Sequence, residues 1–277
     1  MQKIKSLVEA RKEFATQEQC EAHLTKMRWP DGVTCPRCGS QNVTYMESRR
    51  KWQCKCRYQF SATSRTFMHG SHIDLPRWMM AIWLMCHSPK GVSSKQIQRE
   101  LGLTYKSAWY MTQRIRTAMI RDQAGVKLSG IIELDDAVVK SNKGTRWGGG
   151  SYVLGMASRE GDIKLQILQK LKGEEVRRVV AENVDYVKAF YTDGHKLYRK
   201  MHELGPHSYV VHQKQWVDGE VHVSYVENAW SLFKRGLVGI FHHVSTKYLQ
   251  DYLDEFCFRY RHRHEKAKLM DLVLASC

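Results

Sequence analysis

One strand-like segment of this chain carries three acids inside an otherwise apolar stretch. Residues 128–139 read LSGIIELDDAVV and are rich in the apolar, β-branched residues that favour strands. With a period of two, Glu133 and Asp135 lie on one face of the strand and Asp136 lies on the other. A carboxylate inside a buried strand is unfavourable unless it is paired or bound to a cation. We therefore expect this strand to contribute to a functional site as well as to a core.

A second acid-bearing segment, residues 221–236 (VHVSYVENAWSLFKRG), predicts a helix that begins near Val226. Glu227 and Lys234 are seven residues apart, about two helical turns, so they project from the same face. An acid for a metal and a cation for a phosphate can then share one site. The alternative is a capping box between Ser224 and Glu227, in which Glu227 only caps its own helix.

The rest of the C-terminal half predicts alternating strands and helices. The predicted elements are strands at 128–139, 151–158 and 162–171, a helix at 173–184, a strand at 187–194, a helix at 195–204, a strand at 208–213, the helix that carries Glu227, and a long helix at 244–266 capped by Ser245. A basic, glycine-rich loop at 141–151 joins the first two strands. Asp193 ends the fourth strand, where the alternative role is a simple turn or helix cap.

The N-terminal half contains two close cysteine pairs. These are Cys35 with Cys38, and Cys54 with Cys56, with 15 residues between the pairs. Four thiolates from two tight turns complete the tetrahedral shell of one structural Zn²⁺, so the pattern predicts a zinc ribbon. The second pair has one intervening residue instead of the usual two. Either that turn is distorted, or His69 or His72 supplies one of the ligands.

Helices are predicted around this ribbon, up to Met27 and again at 75–88. Residues 94–120 then predict a helix, a turn at Gly102 and a second helix from Tyr105, as in a helix-turn-helix that reads a major groove. The outer face of the second helix offers candidate DNA-binding side chains, namely Lys106, Ser107, Tyr110, Gln113 and Arg114. The alternative is an ordinary helical hairpin.

The charge of the chain favours a polyanionic partner. Its 277 residues include 44 Lys and Arg against 28 Asp and Glu, a net charge of +16, which favours double-stranded DNA. A basic surface also fits a membrane, but no apolar run approaches the roughly 18 residues of a spanning helix. The N-terminus lacks the apolar core of a signal peptide. We therefore expect a cytoplasmic, nucleoid-associated protein with reduced cysteines.

The order of the C-terminal elements is that of an RNase H-like α/β fold. Three meandering strands are followed by a helix, a strand that ends in an acid, and a later acid-bearing helix. Such a sheet brings Asp135 beside Asp193, and the later helix adds Glu227 after 33 intervening residues. Three converging carboxylates would bind two Mg²⁺ about 3.5–4 Å apart, as in enzymes that displace phosphodiesters.

Five segments together resemble a known family. They are CPRCGS, LPRWMMAIWLM, ELDDAVV, YTDGHKLY and the long stretch VENAWSLFKRGLVGIFHHVSTKYLQDYLDEFCFRYRHR. The chain resembles the bacterial insertion-sequence transposases of the DDE type that carry an N-terminal zinc ribbon. This resemblance implies Mg²⁺-dependent strand nicking and strand transfer at the ends of a mobile element. The implied partners are the terminal inverted repeats, target DNA and further copies of the chain, as a homodimer or higher oligomer.

The resemblance also implies roles for single residues. Asp135, Asp193 and Glu227 become the metal-binding triad, and Lys234 becomes the basic residue that often follows the last acid by seven places. Some relatives use Asn as the third ligand, which makes Asn228 a second candidate. The family motif usually reads Asp-Glu where this chain has two aspartates, and commonly Asn where it has Ser224.

We therefore expect four parts. They are an N-terminal helical segment (1–27), a zinc ribbon (28–72), a helix-turn-helix-like helical region (73–123) and an RNase H-like catalytic domain (126–277). Two alternatives stay open at this point. A DNA-binding regulator would keep the ribbon and the helices but have an inactive C-terminal domain, and an RNase H-like nuclease would share the triad but lack strand transfer.

Overall fold

The computed structural model describes residues 6–123, 125–140, 150–211, 217–265 and 268–275. It is a mixed α/β protein with two compact units, Met1–Asp122 together with Glu265–Cys277, and Gln123–His264. The predicted basic loop lies outside the described residues apart from its last two positions. None of the described helices combines the length and apolar character that crossing a bilayer requires.

The first unit contains helices around a small antiparallel sheet. Its elements are α1 (Leu7–Glu13), α2 (Gln17–Arg28), β1 (Val43–Met46), β2 (Lys51–Cys54), β3 (Gln59–Phe60), α3 (Leu75–His87), α4 (Ser94–Leu101) and α5 (Tyr105–Gln123). A reciprocal capping box between Thr16 and Gln19 starts α2. Trp78 and Ile82 of α3 are fully buried, so α3 forms the centre of this unit. The helices predicted before Met27 and at 75–88 are confirmed.

The second unit is a five-stranded sheet covered by helices on both faces. Its elements are β4 (Leu128–Lys140), β5 (Gly150–Ser158), β6 (Ile163–Leu168), α6 (Gly173–Asn183), β7 (Val184–Asp193), β8 (His207–Val210), α7 (Ser224–Gly236) and α8 (Thr246–Arg261). The strand order is β6-β5-β4-β7-β8. Strands β4 to β6 are an antiparallel meander, whereas β7 runs parallel to β4 and β8 parallel to β7.

Each face of this sheet has its own apolar core. One cluster joins α6 to Leu134, Leu154 and Phe190. The other joins α7 and α8 to Val153 and Ala157. Alternate residues of β4 therefore point into different cores, which is the arrangement that its period-two pattern predicts.

Two predicted helices differ from the structure. Residues 195–204 form two short 3-10 helices, Lys196–Tyr198 and Met201–Glu203, in place of one α-helix. Tyr198 and Met201 are both buried in the core beside α6, and the three-residue period of 3-10 backbone brings them to one side. Helix α8 begins after Ser245 as predicted, but the Ser245 side chain makes no capping hydrogen bond.

The C-terminal helix, α9 (Leu269–Ala275), belongs to the first unit. Its apolar side chains Leu269, Met270, Val273 and Leu274 are buried, and it packs against α2 and α3. This differs from the prediction that 126–277 form one domain. The pairing could not be read locally, because a short apolar stripe shows that a helix packs but not on what it packs.

Candidate active site and metal centre

Asp135 and Asp193 lie at equivalent positions of two adjacent parallel strands. Leu134 of β4 pairs with Thr192 of β7, and each aspartate is the next residue of its strand. Neighbouring strands are about 4.8 Å apart, and residues in register on parallel strands point to the same face. The sheet therefore brings together the two acids that the sequence predicted to meet.

Helix α7 crosses the sheet beside Asp135 because a glycine makes room for it. Gly155 of β5 is the antiparallel partner of Asp135. A Cβ atom on Gly155 would lie 2.8 Å from Val226 Cγ2 and 2.9 Å from Trp230 Cζ2, which is too close for any other residue. Since directly paired residues share a face, Asp135 points to the face that α7 covers. Glu227, the residue after Val226, is thereby brought towards the aspartates.

The acids act on one another electrostatically. Burial, then the charges of Asp136 and Asp193, and further that of Glu227 raise the pKa of Asp135 to about 7, while an N–H of Asp136 opposes the shift. Without a cation, Asp135 therefore holds a proton up to near-neutral pH. A divalent cation among these carboxylates would remove that preference, so the donor set suits a hard, oxygen-ligated metal such as Mg²⁺.

The three acids converge but do not form a closed ligand cage. Among the described residues, only a cysteine cluster brings three or more His, Cys, Asp or Glu ligand atoms within 4.8 Å of one another. The arrangement is compatible with Mg²⁺, which usually keeps several waters and takes few protein carboxylates.

Asp136 points to the opposite face from Asp135, as the strand period predicts. Its Oδ1 accepts a hydrogen bond of 2.9 Å from the hydroxyl of Tyr198, which lies in the core beside α6. Asp193 has a local role as well, because its Oδ1 accepts a 3.1 Å hydrogen bond from the N–H of His195. The turn predicted as an alternative at Asp193 therefore exists together with its position beside Asp135.

The capping box that the sequence offered as an alternative at the start of α7 does not form. Ser224 is the first residue of the helix, two residues before the predicted start. Its N–H is accepted by Nδ1 of His222 at 3.4 Å, and the N-cap residue Val223 offers no capping side chain. The cap comes from β4 instead, where the buried carboxylate of Glu133 accepts the N–H groups of Tyr225 (2.7 Å) and Val226 (3.3 Å). Glu227 therefore does not form the reciprocal capping box with Ser224.

Lys234 and Asn228 complete the predicted set on α7. Lys234 follows Glu227 by seven residues within the continuous helix and is exposed. Asn228 is also exposed, but it is turned by about 100° around the helix from Glu227. A π-helix, Leu237–Phe241, directly follows α7.

The four predicted cysteine ligands lie together in the first unit. Sγ atoms are 3.8 Å apart for Cys35 and Cys56 and 3.6 Å apart for Cys38 and Cys54. Tetrahedral zinc with Zn–S bonds of 2.3 Å separates its sulfurs by about 3.8 Å. His69 and His72, which are both described, are not part of the group of ligand atoms. The cysteines thus have the spacing of a single tetrahedral site.

Backbone geometry explains how the short Cys54-x-Cys56 turn reaches that arrangement. Arg57 adopts a left-handed φ of 66°, and its N–H closes the turn onto the carbonyl of Cys54 at 2.8 Å. In the other turn, burial raises the pKa of the Cys35 thiol, but hydrogen bonds from the N–H groups of Cys38 and Arg37 and from the side chains of Cys54 and Cys38 together outweigh burial and lower that pKa to about 7. A lowered thiol pKa favours the thiolate that metals bind.

Comparison with known families decides what the two units are. The transposase zinc-ribbon domain matches residues 15–59, and the ISXO2-like transposase domain matches residues 127–261. Together the two matches cover more than half of the chain. The protein belongs to the insertion-sequence DDE transposases with an N-terminal zinc ribbon. The matched ISXO2-like segment contains Asp135, Asp193 and Glu227.

This transposase also resembles a protein of Halobacterium salinarum. That protein is described as an uncharacterized protein in transposable element ISH50. The two sequences are 29% identical over 276 residues, which covers 90% of this chain and 92% of the relative. The similarity therefore extends across both units of the transposase.

The helix-turn-helix region of the transposase forms as predicted, with one side chain placed differently. Gly102 ends α4 with a left-handed φ of 61°. Lys106 and Tyr110 of α5 are exposed. The amide atoms of Gln113 are buried, so the prediction that Gln113 is presented on the outer face is wrong. The prediction for Gln113 is wrong because the residues next to it along α5 face inward.

Two of the other candidates on α5 are already engaged. The Ser107 hydroxyl accepts a 2.9 Å hydrogen bond from Thr104, whose own hydroxyl accepts the N–H of Ser107 and caps α5. Arg114 donates to the hydroxyl of Tyr110 and, at 2.9 Å, to the carbonyl of His69. The exposed cation and ring of this face are therefore Lys106 and Tyr110.

The basic residues at the end of α8 have structural partners. Arg261 forms an ion pair with Asp162 at 3.2 Å, and Arg263 donates to the carbonyl of Gly161 at 3.0 Å. These contacts fasten the end of α8 to the turn between β5 and β6.

Proposed function

We propose that this transposase binds the ends of its mobile element and cuts and joins DNA strands by Mg²⁺-dependent phosphodiester transesterification. The observation that carries the proposal is the convergence of Asp135, Asp193 and Glu227 from two strands and a helix within the matched transposase domain. A purely DNA-binding domain gains nothing from placing Asp193 and Glu227 where their charges raise the pKa of Asp135, whereas a metal-dependent phosphotransferase needs all three acids together.

We propose an RNase H-like fold for the second unit. Its strand order, with a three-stranded antiparallel meander followed by two strands parallel to the first, supports this assignment. The ISXO2-like transposase match over residues 127–261 supports it independently.

The proposed roles follow from position. Asp135, Asp193 and Glu227 would hold two Mg²⁺, which when bound would neutralise the charge that develops on the phosphate and on the leaving oxygen. Lys234 is proposed to contact a DNA phosphate near the cut, because it is exposed on the same helix as Glu227. The sheet and α7 fix the carboxylates in advance, which lowers the reorganisation that reaction would otherwise require.

The first unit is proposed to recognise the DNA. Cys35, Cys38, Cys54 and Cys56 would hold one structural Zn²⁺, since the ribbon sheet is too small to be stable on its own core. The exposed Lys106 and Tyr110 of α5 are proposed to contact element ends, together with Ser107 and Arg114 where DNA displaces their present hydrogen bonds. Homodimers or higher oligomers on double-stranded DNA are proposed because joining requires two ends.

The two rival functions are separated by one assay. Protein is incubated with Mg²⁺ and DNA that carries both element ends, and the products are resolved on denaturing gels. A transposase yields nicked ends and strands joined to target DNA. Nicks without joined strands would favour the nuclease, and end binding without nicks would favour the regulator.

A further inference from the structure

Glu133 is the most completely engaged buried acid beside the site. Its side chain is 0% exposed. Oε2 accepts the N–H groups of Tyr225 (2.7 Å) and Val226 (3.3 Å), the first turn of α7. Oε1 lies 3.1 Å from Nε of Arg159 and 3.3 Å from Nδ1 of His222. Three donors, two from α7 and one from Arg159, therefore converge on one carboxylate, and the His222 ring lies beside it.

This carboxylate links the two elements that carry the proposed metal ligands. Glu133 lies two residues before Asp135 on the same face of β4, about 7 Å along the strand. Its partners Tyr225 and Val226 immediately precede Glu227 on α7. A hydrogen bond from β4 to this helix end fixes the distance between the strand acid and the helix acid.

The N-cap residue of α7, Val223, offers no capping side chain, and Nδ1 of His222 accepts the N–H of Ser224 at 3.4 Å. Glu133 is the acceptor for the next two N–H groups of the helix. The first N–H groups of a helix need acceptors, and a carboxylate there is also favoured by the helix dipole. Arg159 supplies the countercharge that makes burial of Glu133 tolerable. The guanidinium carbon of Arg159 lies 4.8 Å from the ring centroid of Tyr191 and 5.9 Å from that of Tyr225, and these rings hold the arginine in place.

We propose that Glu133 is a positioning residue for the transposase reaction: it holds the start of α7 so that Glu227 meets Asp135 at the spacing that the metal site needs. This inference rests on the proposed function for its consequence in catalysis. Glu133 does not touch the reacting atoms, and it acts through the placement of Glu227.

Both carboxylate oxygens are needed, which makes Glu133→Gln a sharp test. An amide has one acceptor oxygen, so its NH₂ group must face either the α7 N–H groups or Arg159. Either orientation sets a donor against donors. In the metal-free protein we expect hydrogen exchange at residues 222–230 to become at least about ten-fold faster. We also expect the Mg²⁺ concentration for half-maximal nicking to rise about 10- to 100-fold, with activity recovering at high Mg²⁺.

Two further variants keep the test decisive. Glu133→Asp retains the charge beside Arg159 but shortens the reach to α7 by one methylene, so it should show the same exchange and Mg²⁺ effects. It replaces Glu133→Gln as the test if that variant does not fold. Glu220→Gln makes the same chemical change in the segment before α7. The Glu220 side chain is exposed, and this residue contacts Arg159 through its backbone carbonyl. It should match the wild type in both measurements.

The outcomes separate this inference from the proposed function. Wild-type exchange at 222–230 and wild-type Mg²⁺ dependence in folded Glu133→Gln and Glu133→Asp would overturn the positioning role, while an inactive Asp135→Ala would leave the function standing. If Asp135→Ala nicks DNA at the wild-type rate, the metal site itself is refuted. In that case faster exchange in Glu133→Gln would still show the cap, but the catalytic consequence would be lost.

Discussion

Replacing Asp135 with Asn should stabilise the metal-free protein while abolishing its activity. The pKa of Asp135 is raised from its usual 3.8 to about 7, mainly by burial and then by the charges of Asp136 and Asp193. A raised carboxyl pKa means that this group favours folding most below about pH 4 and that its contribution is lost as the pH rises through about 7. At pH 8 the folded protein therefore carries the full repulsion.

The size of this effect follows from the shift. About three pH units at about 1.4 kcal/mol each set a ceiling near 4 kcal/mol. Asp135 is only partly buried, so solvent screens part of that energy. We expect Asp135→Asn to raise the free energy of unfolding by about 1–2 kcal/mol at pH 8, or roughly 3–8 °C in Tm, and by much less at pH 4.

The assay is calorimetric unfolding of the full chain without added Mg²⁺ and without chelator, so that any zinc is retained. Adding Mg²⁺ should stabilise the wild type but not Asp135→Asn, because binding to the folded state alone adds stability. Asp185→Asn, a change at an exposed aspartate of β7, serves as the matched control and should shift neither curve. An Asp135→Asn protein that is less stable than the wild type at pH 8, or equally stabilised by Mg²⁺, would refute the electrostatic argument.

Three other predictions concern the first unit. Cys54→Ser should remove the single zinc detected by metal analysis of the purified protein, and a retained zinc would contradict the four-cysteine site. Truncation after His264 should lower the Tm of the first unit and weaken end binding, because removing α9 uncovers the surfaces of α2 and α3 on which it packs. An unchanged Tm in calorimetry would contradict the structural role of α9. Lys106→Ala should weaken end binding and reduce the salt dependence by about one counterion in mobility-shift assays, and an unchanged slope would remove Lys106 from the interface.

Short-range patterns predicted much of this transposase because their cause is local. The period of β4 placed Glu133 and Asp135 on one face and Asp136 on the other, and the structure confirms it through the separate partners of each acid. The cysteine pairs predicted a four-thiol cluster for the same reason, since turn geometry brings near neighbours together.

Long-range contacts account for what the sequence did not reveal. The cap on α7 comes from Glu133, more than 90 residues before its partners Tyr225 and Val226, so the local sequence offered only the capping box at Ser224 as an alternative, and that box does not form. The strand pattern did single out Glu133 as an acid on a buried face, which was the available signal. The docking of α9 on the first unit likewise depends on a surface that its own sequence does not specify.

The most direct test of the central claim is strand joining by single-carboxylate variants. Asp193→Ala and Glu227→Ala are assayed beside Asp136→Ala, whose side chain lies on the opposite face with Tyr198. Nicking and joining in Mg²⁺ should fall to background in the first two variants, while end binding persists because the site becomes less negative towards DNA. Asp136→Ala should retain more activity than either. Wild-type joining by Asp193→Ala or Glu227→Ala would contradict the triad.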